Sequence, residues 1–301
     1  MVPSVGSPTA MTPENGKKWL SESVILRINR IFRSVTKHTI LISVVITCIF
    51  PFIWMVSSAL KSETTIATDM SLFPSNPQFS NFAVAWTRGN FGTYFFNSVF
   101  YTVFCVFAVL LISSLAAYGF ARLQFKGRNL FYYMFLATML IPVPGAIAAL
   151  YVLINKLGLI DTRLGYMLPQ INGQLALGIF ILKPFFERIP KDLEDAARID
   201  GCGRLGIWWH VALPLAKPAL AVVALFTTLA VWNEFILAQL VLQSKTLMPL
   251  QLGLVKFWGG VLAQDHLLTA GMTISTLPIV IAYIFLQRHI IAGVTAGAVK
   301  G

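Results

Sequence analysis

The sequence predicts an all-α integral membrane protein of six transmembrane helices, with both termini cytoplasmic and one long cytoplasmic loop between spans four and five. Three observations lead there. The 301 residues are 56% hydrophobic and 12% charged, with a mean hydropathy of +0.73, whereas a soluble domain carries about a quarter charged residues. Long stretches hold no charge, and a helix needs roughly 20 apolar residues to cross hydrocarbon, where no water satisfies stray polar groups. Finally, lysine and arginine are spread unevenly around those stretches.

The first charge-free stretch covers residues 39–60. The second lies between Arg88 and Arg122 and the third between Arg128 and Lys156. A fourth lies between Arg163 and Lys183, a fifth between Lys217 and Lys245 with Glu234 inside it, and a sixth between His266 and Arg288. The expected spans are 39–60, 95–120, 130–153, 164–184, 218–242 and 267–287, so residues 39–290 form the membrane domain. Residues 1–38 are a cytoplasmic tail and 291–301 a second one. The first 22 residues, with Pro3, Ser4, Gly6, Pro8, Pro13 and Gly16, lack the apolar run of a signal peptide and read as disordered. The first span is therefore expected to be a retained anchor.

Basic residues are kept on the cytoplasmic side of a membrane. With the N-terminus inside, 17 of the 23 lysines and arginines fall inside and 6 outside. This split accounts for the formal charge of +11 by anionic lipid headgroups rather than nucleic acid. Cys48 and Cys105 fall in spans and Cys202 in the long loop, with no metal-type spacing. His38, His210, His266 and His289 are scattered, so neither a metal site nor a nucleophile with its base is expected.

The loop from 189 to 218 is too polar for the membrane yet organised. Pro190 suits a first helical turn, Asp192, Glu194 and Asp195 favour the positive end of the helix dipole, and Gly201 supplies a C-terminal cap. A helix over about 190–200 follows. On it Leu193, Ala196 and Ala197 are expected to share a shallow apolar face, flanked by Arg198 and Asp200. After Gly201-Cys202-Gly203, an apolar stretch with Leu205, Ile207, Trp208, Trp209 and Val211 runs back toward the membrane and is expected to stop at Pro214. An amphipathic hairpin packed on its own bundle or lying at the lipid interface satisfies the same pattern.

These residues resemble the EAA loop of ABC importer permeases: Glu-Ala-Ala, three residues, Gly, nine residues, Ile, one residue, Leu-Pro. The matching positions are Asp195-Ala196-Ala197, Gly201, Val211, Leu213 and Pro214. Asp replaces the first Glu and Val the Ile, keeping charge sign and apolar character. The resemblance implies that the loop is the coupling helix that docks into a cytoplasmic ATPase subunit. No GxxxxGK[ST] phosphate loop occurs in the chain, so ATP and Mg are expected on that partner, this chain binding no cofactor and catalysing no reaction itself. The implied partners are a second related permease, an ATPase dimer, an extracytoplasmic solute-binding protein and membrane lipids, in a bacterial inner membrane.

Weaker segments resemble the second permease subunit of maltose-type carbohydrate importers. They are Phe73-Pro74, Asn81-Phe82 and Trp86, the run 121–128 that opens Ala121-Arg122-Leu123, the run 157–162, and the tail 293–301. The implied solute is a sugar or oligosaccharide, with glycerol phosphate or another polar solute as the alternative.

Trp232-Asn233-Glu234-Phe235 in span five is similar to that branch as well. An ionisable group in a span is costly, so Glu234 is expected to face the bundle interior or a cavity. It stands either in the solute path with Asn233 and Trp232, or in an interhelical hydrogen bond or outer gate. In span three Pro142, Val143, Pro144 and Gly145 break a regular helix, as a pivot, as part of the path or as a simple kink.

A secondary transporter or channel is the rival class. It calls for inverted repeats or further intramembrane charges, and neither is evident. A membrane transferase calls for clustered acids or histidines at one interface, and the acids at 192–195 are accounted for by capping.

Overall fold

Within an apolar run only the helix satisfies every backbone N–H and C=O internally, so such runs fold as helices. The computed structural model describes residues 13–88, 90–141, 143–258 and 264–298, and every regular element among them is helical. Residues 1–54 and 55–301 form two units. The first consists of most of α1 (Pro13–Ala59). That helix starts at a proline, whose missing N–H costs nothing in a first turn, so part of the expected disordered tail is helical. Residues 1–12 lie outside the described ones. From residue 30 to 53 every side chain of α1 is exposed.

In the second unit, α2 (Ser80–Arg88) precedes α3 (Phe91–Arg122). Then come α4 (Arg128–Ala137), a 3-10 turn at Thr138–Leu140 and α5 (Val143–Lys156). Next follow α6 (Arg163–Arg188), α7 (Lys191–Ile199) and α8 (Arg204–Ile207). A π turn at Trp208–Ala212 leads into α9 (Leu213–Leu215) and α10 (Lys217–Trp232). The last elements are α11 (Ile236–Val241), α12 (Leu250–Trp258) and α13 (Asp265–Ala298).

Three described helices are long and apolar enough to cross a membrane: 30–59, 91–122 and 265–285; with the bent pairs α4–α5 and α8–α10 the number reaches five. At 26 residues α6 has the length, but Gln170, Asn172 and Gln174 interrupt its apolar run.

The core lies where α3, α6, α10 and α13 meet. Cys105, Val109, Ala117, Ile179, Leu182, Phe186, Val223 and Ala270 are buried there, and Tyr101 meets Tyr166 with ring centroids 4.8 Å apart. The outward residues of α3, among them Phe96, Val103, Phe107 and Leu111, are exposed and apolar, as a lipid-facing surface requires. The segment 243–266, which the expected spans leave as an external loop, contains α12, with Leu250 and Leu252 fully covered. Three buried polar side chains of α3 bind the backbone leading into it. Asn97 donates to the carbonyls of Thr246 and Met248 at 2.8 and 3.1 Å. Tyr101 donates to Leu247 at 2.7 Å and Ser98 accepts from the Leu250 amide at 2.8 Å.

The contact of α3 with α6 depends on small residues, which let helix backbones approach in an apolar medium. A Cβ added at Gly178 would lie 2.7 Å from the Cβ and Oγ of Ser113, whereas one at Gly173, on the same helix, meets nothing within 4 Å. Gly178→Val should therefore destabilise the bundle by about 1–3 kcal/mol through overpacking. Thermal unfolding in detergent is expected to shift downward for this variant and to hold or rise for Gly173→Ala.

Candidate functional site

The polar loop begins where α6 stops. A residue before proline is pushed out of the helical region, and Ile189 accordingly adopts φ −64° and ψ 127°. Pro190 stands just before α7, which starts at Lys191, one residue later than expected. Asp192 and Glu194 occupy the first turn of α7, where carboxylates favour the dipole. At its other end Asp200 caps the helix and Gly201 adopts φ +85°. The Gly201 amide donates to the Arg198 carbonyl at 3.0 Å and the Cys202 amide to that of Ala197 at 2.9 Å. This pair of bonds is the Schellman closure. A Cβ at Gly201 meets nothing within 4 Å, so backbone conformation alone demands glycine there.

The expected apolar face of α7 divides in two. Ala197 turns inward and is buried together with Glu194, while Leu193 and Ala196 remain exposed. Outward with them stand Asp195, Ile199 and Asp200, and Arg198 pairs with Asp195 at 2.8 Å on that open side. The reason is Glu194. Its Oε1 lies 2.8 Å from Nε of Arg122, the last residue of α3, with side chains only 6% and 10% exposed. The same guanidinium donates to the Ile189 carbonyl. A carboxylate met by a buried arginine sets which way the helix turns. Neither Arg122 nor this role of Glu194 was assigned from the sequence, although the run 121–128 had been singled out.

The returning leg buries Ile207 and Trp208 and exposes Leu205 and Trp209. It does not stop at Pro214. Lacking an N–H, proline leaves the ladder short of a donor, and the chain adjusts with the preceding π turn, in which the Leu213 amide reaches the Trp208 carbonyl. Val211 and Leu213 are half-buried and Pro214 is exposed. The chain bends by 81° between this leg and α10.

The expected fifth span breaks at Asn233–Phe235, between α10 and α11. Trp232 is buried against α13, its indole N–H donating to the Ser275 carbonyl at 3.0 Å, and its ring meets Phe95 edge-on at 5.9 Å. Asn233 is exposed and donates to the Leu229 carbonyl at 2.8 Å. Half-buried Glu234 caps the half-helix α11, accepting from the amides of Leu237 at 2.6 Å and Ala238 at 3.1 Å. Its charge is thus met by backbone donors of its own span, a use not among those expected. In span three, α5 resumes at Val143, with Pro144 in its first turn and Gly145 after it; Pro142 lies outside the described residues.

Beyond α11 the chain is tied to the turn before α6. Asp161, at φ 56°, accepts from the amides of Gln243 and Ser244, both at 2.8 Å, and from the Ser244 hydroxyl. Its own amide donates to the Val241 carbonyl at 2.8 Å. The Ser244 hydroxyl, then the two amides, hold the Asp161 carboxyl below the usual carboxylate range.

Residues 109–296 match the model of a family described as binding-protein-dependent transport system inner membrane component. The diacetylchitobiose uptake system permease protein of Streptomyces coelicolor is 34% identical, over 87% of this chain and 88% of its own. The arabinooligosaccharides transport system permease protein of Halalkalibacterium halodurans is 35% identical, over 84% and 91%. Among solved structures, a bacterial ABC transporter involved in the import of the acidic polysaccharide alginate superposes with a TM-score of 0.76 at 26% identity, covering 88% of this chain and 98% of the matched one.

The closure at Gly201 makes a graded prediction. Gly201→Val forces a β-branched residue into the left-handed region, at a strain of about 1–2 kcal/mol, whereas asparagine visits that region readily. Hydrogen exchange over residues 191–202 should rise clearly for Gly201→Val and little for Gly201→Asn.

Proposed function

The chain belongs to the family of binding-protein-dependent transport system inner membrane components, and from that premise we propose that it is one half of the channel of an ATP-driven importer of a sugar or oligosaccharide. Family membership makes it a transport component rather than an enzyme. In our reading it crosses a bacterial inner membrane six times with both termini in the cytoplasm, α4 with α5 forming span three, α6 span four, and α10 with α11 span five. It works with a second related permease, two ATPase subunits that hold ATP and Mg, and an extracytoplasmic solute-binding protein.

The observation that carries the reading is α7. A short helix closed at its C-terminal end, bolted from beneath and exposing Leu193, Asp195, Ala196, Ile199 and Asp200, has the form of a knob that a partner's cleft can grip. Small Ala196 lets the partner approach closely, and Gly201, Val211, Leu213 and Pro214 fix the hairpin that presents it. Closure of the ATPase pair around ATP then moves α7 as a rigid body and the spans with it. The breaks in spans three and five are where such motion is absorbed. Pro142, Pro144 and Gly145 form the pivot of span three. At the break in span five, exposed Asn233 meets solute, while Glu234 and Trp232 hold that break in shape. A sugar as solute is supported by the names of the relatives, which are permeases for diacetylchitobiose and arabinooligosaccharides.

Purification of the tagged chain from its own membranes in mild detergent, with mass spectrometry of co-purifying proteins and an ATPase assay with candidate sugars and the binding protein, tests this. An ATP-binding subunit and a second permease should be recovered, with hydrolysis stimulated by sugar-loaded binding protein. A lone homo-oligomer that moves solute without any ATPase would overturn the proposal in favour of a secondary transporter or channel. Stimulation by glycerol phosphate alone would replace the solute and leave the rest standing.

A further inference from the structure

The buried ion pair beneath α7 has a geometry that a mere surface tether would not need. Arg122 ends the 32-residue helix α3. Its Nε meets Glu194 on the inner face of α7 at 2.8 Å, and the same guanidinium holds the carbonyl of Ile189 at the turn between α6 and α7. One side chain thus joins the end of span two, the end of span four and the underside of the exposed helix. Tyr118, one turn before Arg122 on α3, packs edge-on against Phe186 of α6 at 5.7 Å, so the two spans are also locked to each other directly above the pair. With both partners 10% exposed or less, water and salt screen the attraction little. Nε and Oε1 meet at ion-pair distance without the alignment of a hydrogen bond, so charge holds the pair and the bond to Ile189 orients the guanidinium.

We propose that Arg122 is a positioning residue of ATP-driven transport: a strut that passes displacement of α7 to spans two and four together. This rests on the reading that α7 docks on the ATPase subunit. A push on exposed Leu193 and Ala196 is received on the opposite face by Glu194 and Ala197. Ala197 offers only a methyl contact, whereas Glu194 is held to α3 by charge. Without the pair α7 still folds, because its cap at Gly201 is made by its own backbone, but it rocks against the bundle instead of carrying it.

The test uses the complete complex with its co-purified ATPase subunits, in a chain with Cys48 and Cys202 replaced by serine and a reporter cysteine at exposed Gln239 of α11. The readouts are ATPase recovery, ATP hydrolysis and the change in labelling of the reporter by a water-soluble maleimide on adding Mg-ATP. Arg122→Gln and Glu194→Gln should keep recovery and hydrolysis yet reduce the ATP-driven change in labelling about tenfold, within the range of coupling losses for residues between two sites. The swap Arg122→Glu with Glu194→Arg should restore most of it, and Arg122→Lys, which keeps the charge, should fall between. An unchanged response in the Gln variants with recovery intact would overturn the strut alone. Loss of recovery and response together, unrelieved by the swap or by Arg122→Lys, would also overturn it by assigning the pair a purely folding role. If Ala196→Arg on the exposed face fails to release the ATPase subunit, the docking reading falls and the strut with it.

Discussion

Backbone amides and carbonyls inside hydrocarbon have no water to bind, so every departure from a continuous helix must find partners within the protein. The architecture depends on how each departure is met. The break in span five is capped by the Glu234 carboxylate, and the chain leaving α11 is gathered by Asp161. The backbone entering α12 is bound by Asn97, Ser98 and Tyr101 of α3. The chain leaving α1 is met in the same way by buried Asn81, which donates to the carbonyls of Ala59 and Lys61 at 2.9 and 2.8 Å. A few polar side chains in otherwise apolar helices thus permit bends that a simple bundle would not contain.

Those bends matter because a channel that opens alternately to two sides needs places where helices change direction. The packed group of α3, α6, α10 and α13 supplies rigid bodies, with glycine and serine at the closest approach of α3 to α6. The hairpin of α7 and the returning leg supplies a handle that is exposed on one side and anchored on the other. Packed interfaces pass displacement on as discrete shifts rather than deforming continuously, so a rigid handle held to two spans is suited to transmitting work done elsewhere.

Much of this was legible in the sequence where one physical rule dominates. Charge-free runs marked the long helices α3, α6 and α13, and the position of Gly201 marked the end of α7, because a left-handed closure has one inexpensive residue. Legibility failed where a long-range partner decides. Glu194 looked like a dipole-favouring acid until Arg122, 72 positions earlier, turned it and Ala197 inward. Asn97-Ser98 within an apolar run was the available signal for buried structure at 246–250, and it went unread because the partner segment looked like a surface loop. Leu250, Leu252 and Leu254 are all buried, yet their spacing of two does not suggest a helix. The break at Asn233–Phe235 was missed because Glu234 was weighed for contacts with solute or other spans and not for capping its own.

Transport in this scheme turns on α7 being gripped by an ATP-binding partner. Lys191, exposed at the start of α7, carries an amine suited to a short amine-reactive cross-linker, and the direct measurement is to cross-link native membranes and sequence the peptides joined to it. Lys191 should be joined to a peptide of a nucleotide-binding subunit, and ATP should alter the yield. Linkage of Lys191 only to this chain's own cytoplasmic segments, in membranes where the ATPase subunit is present and cross-linked elsewhere, would contradict it.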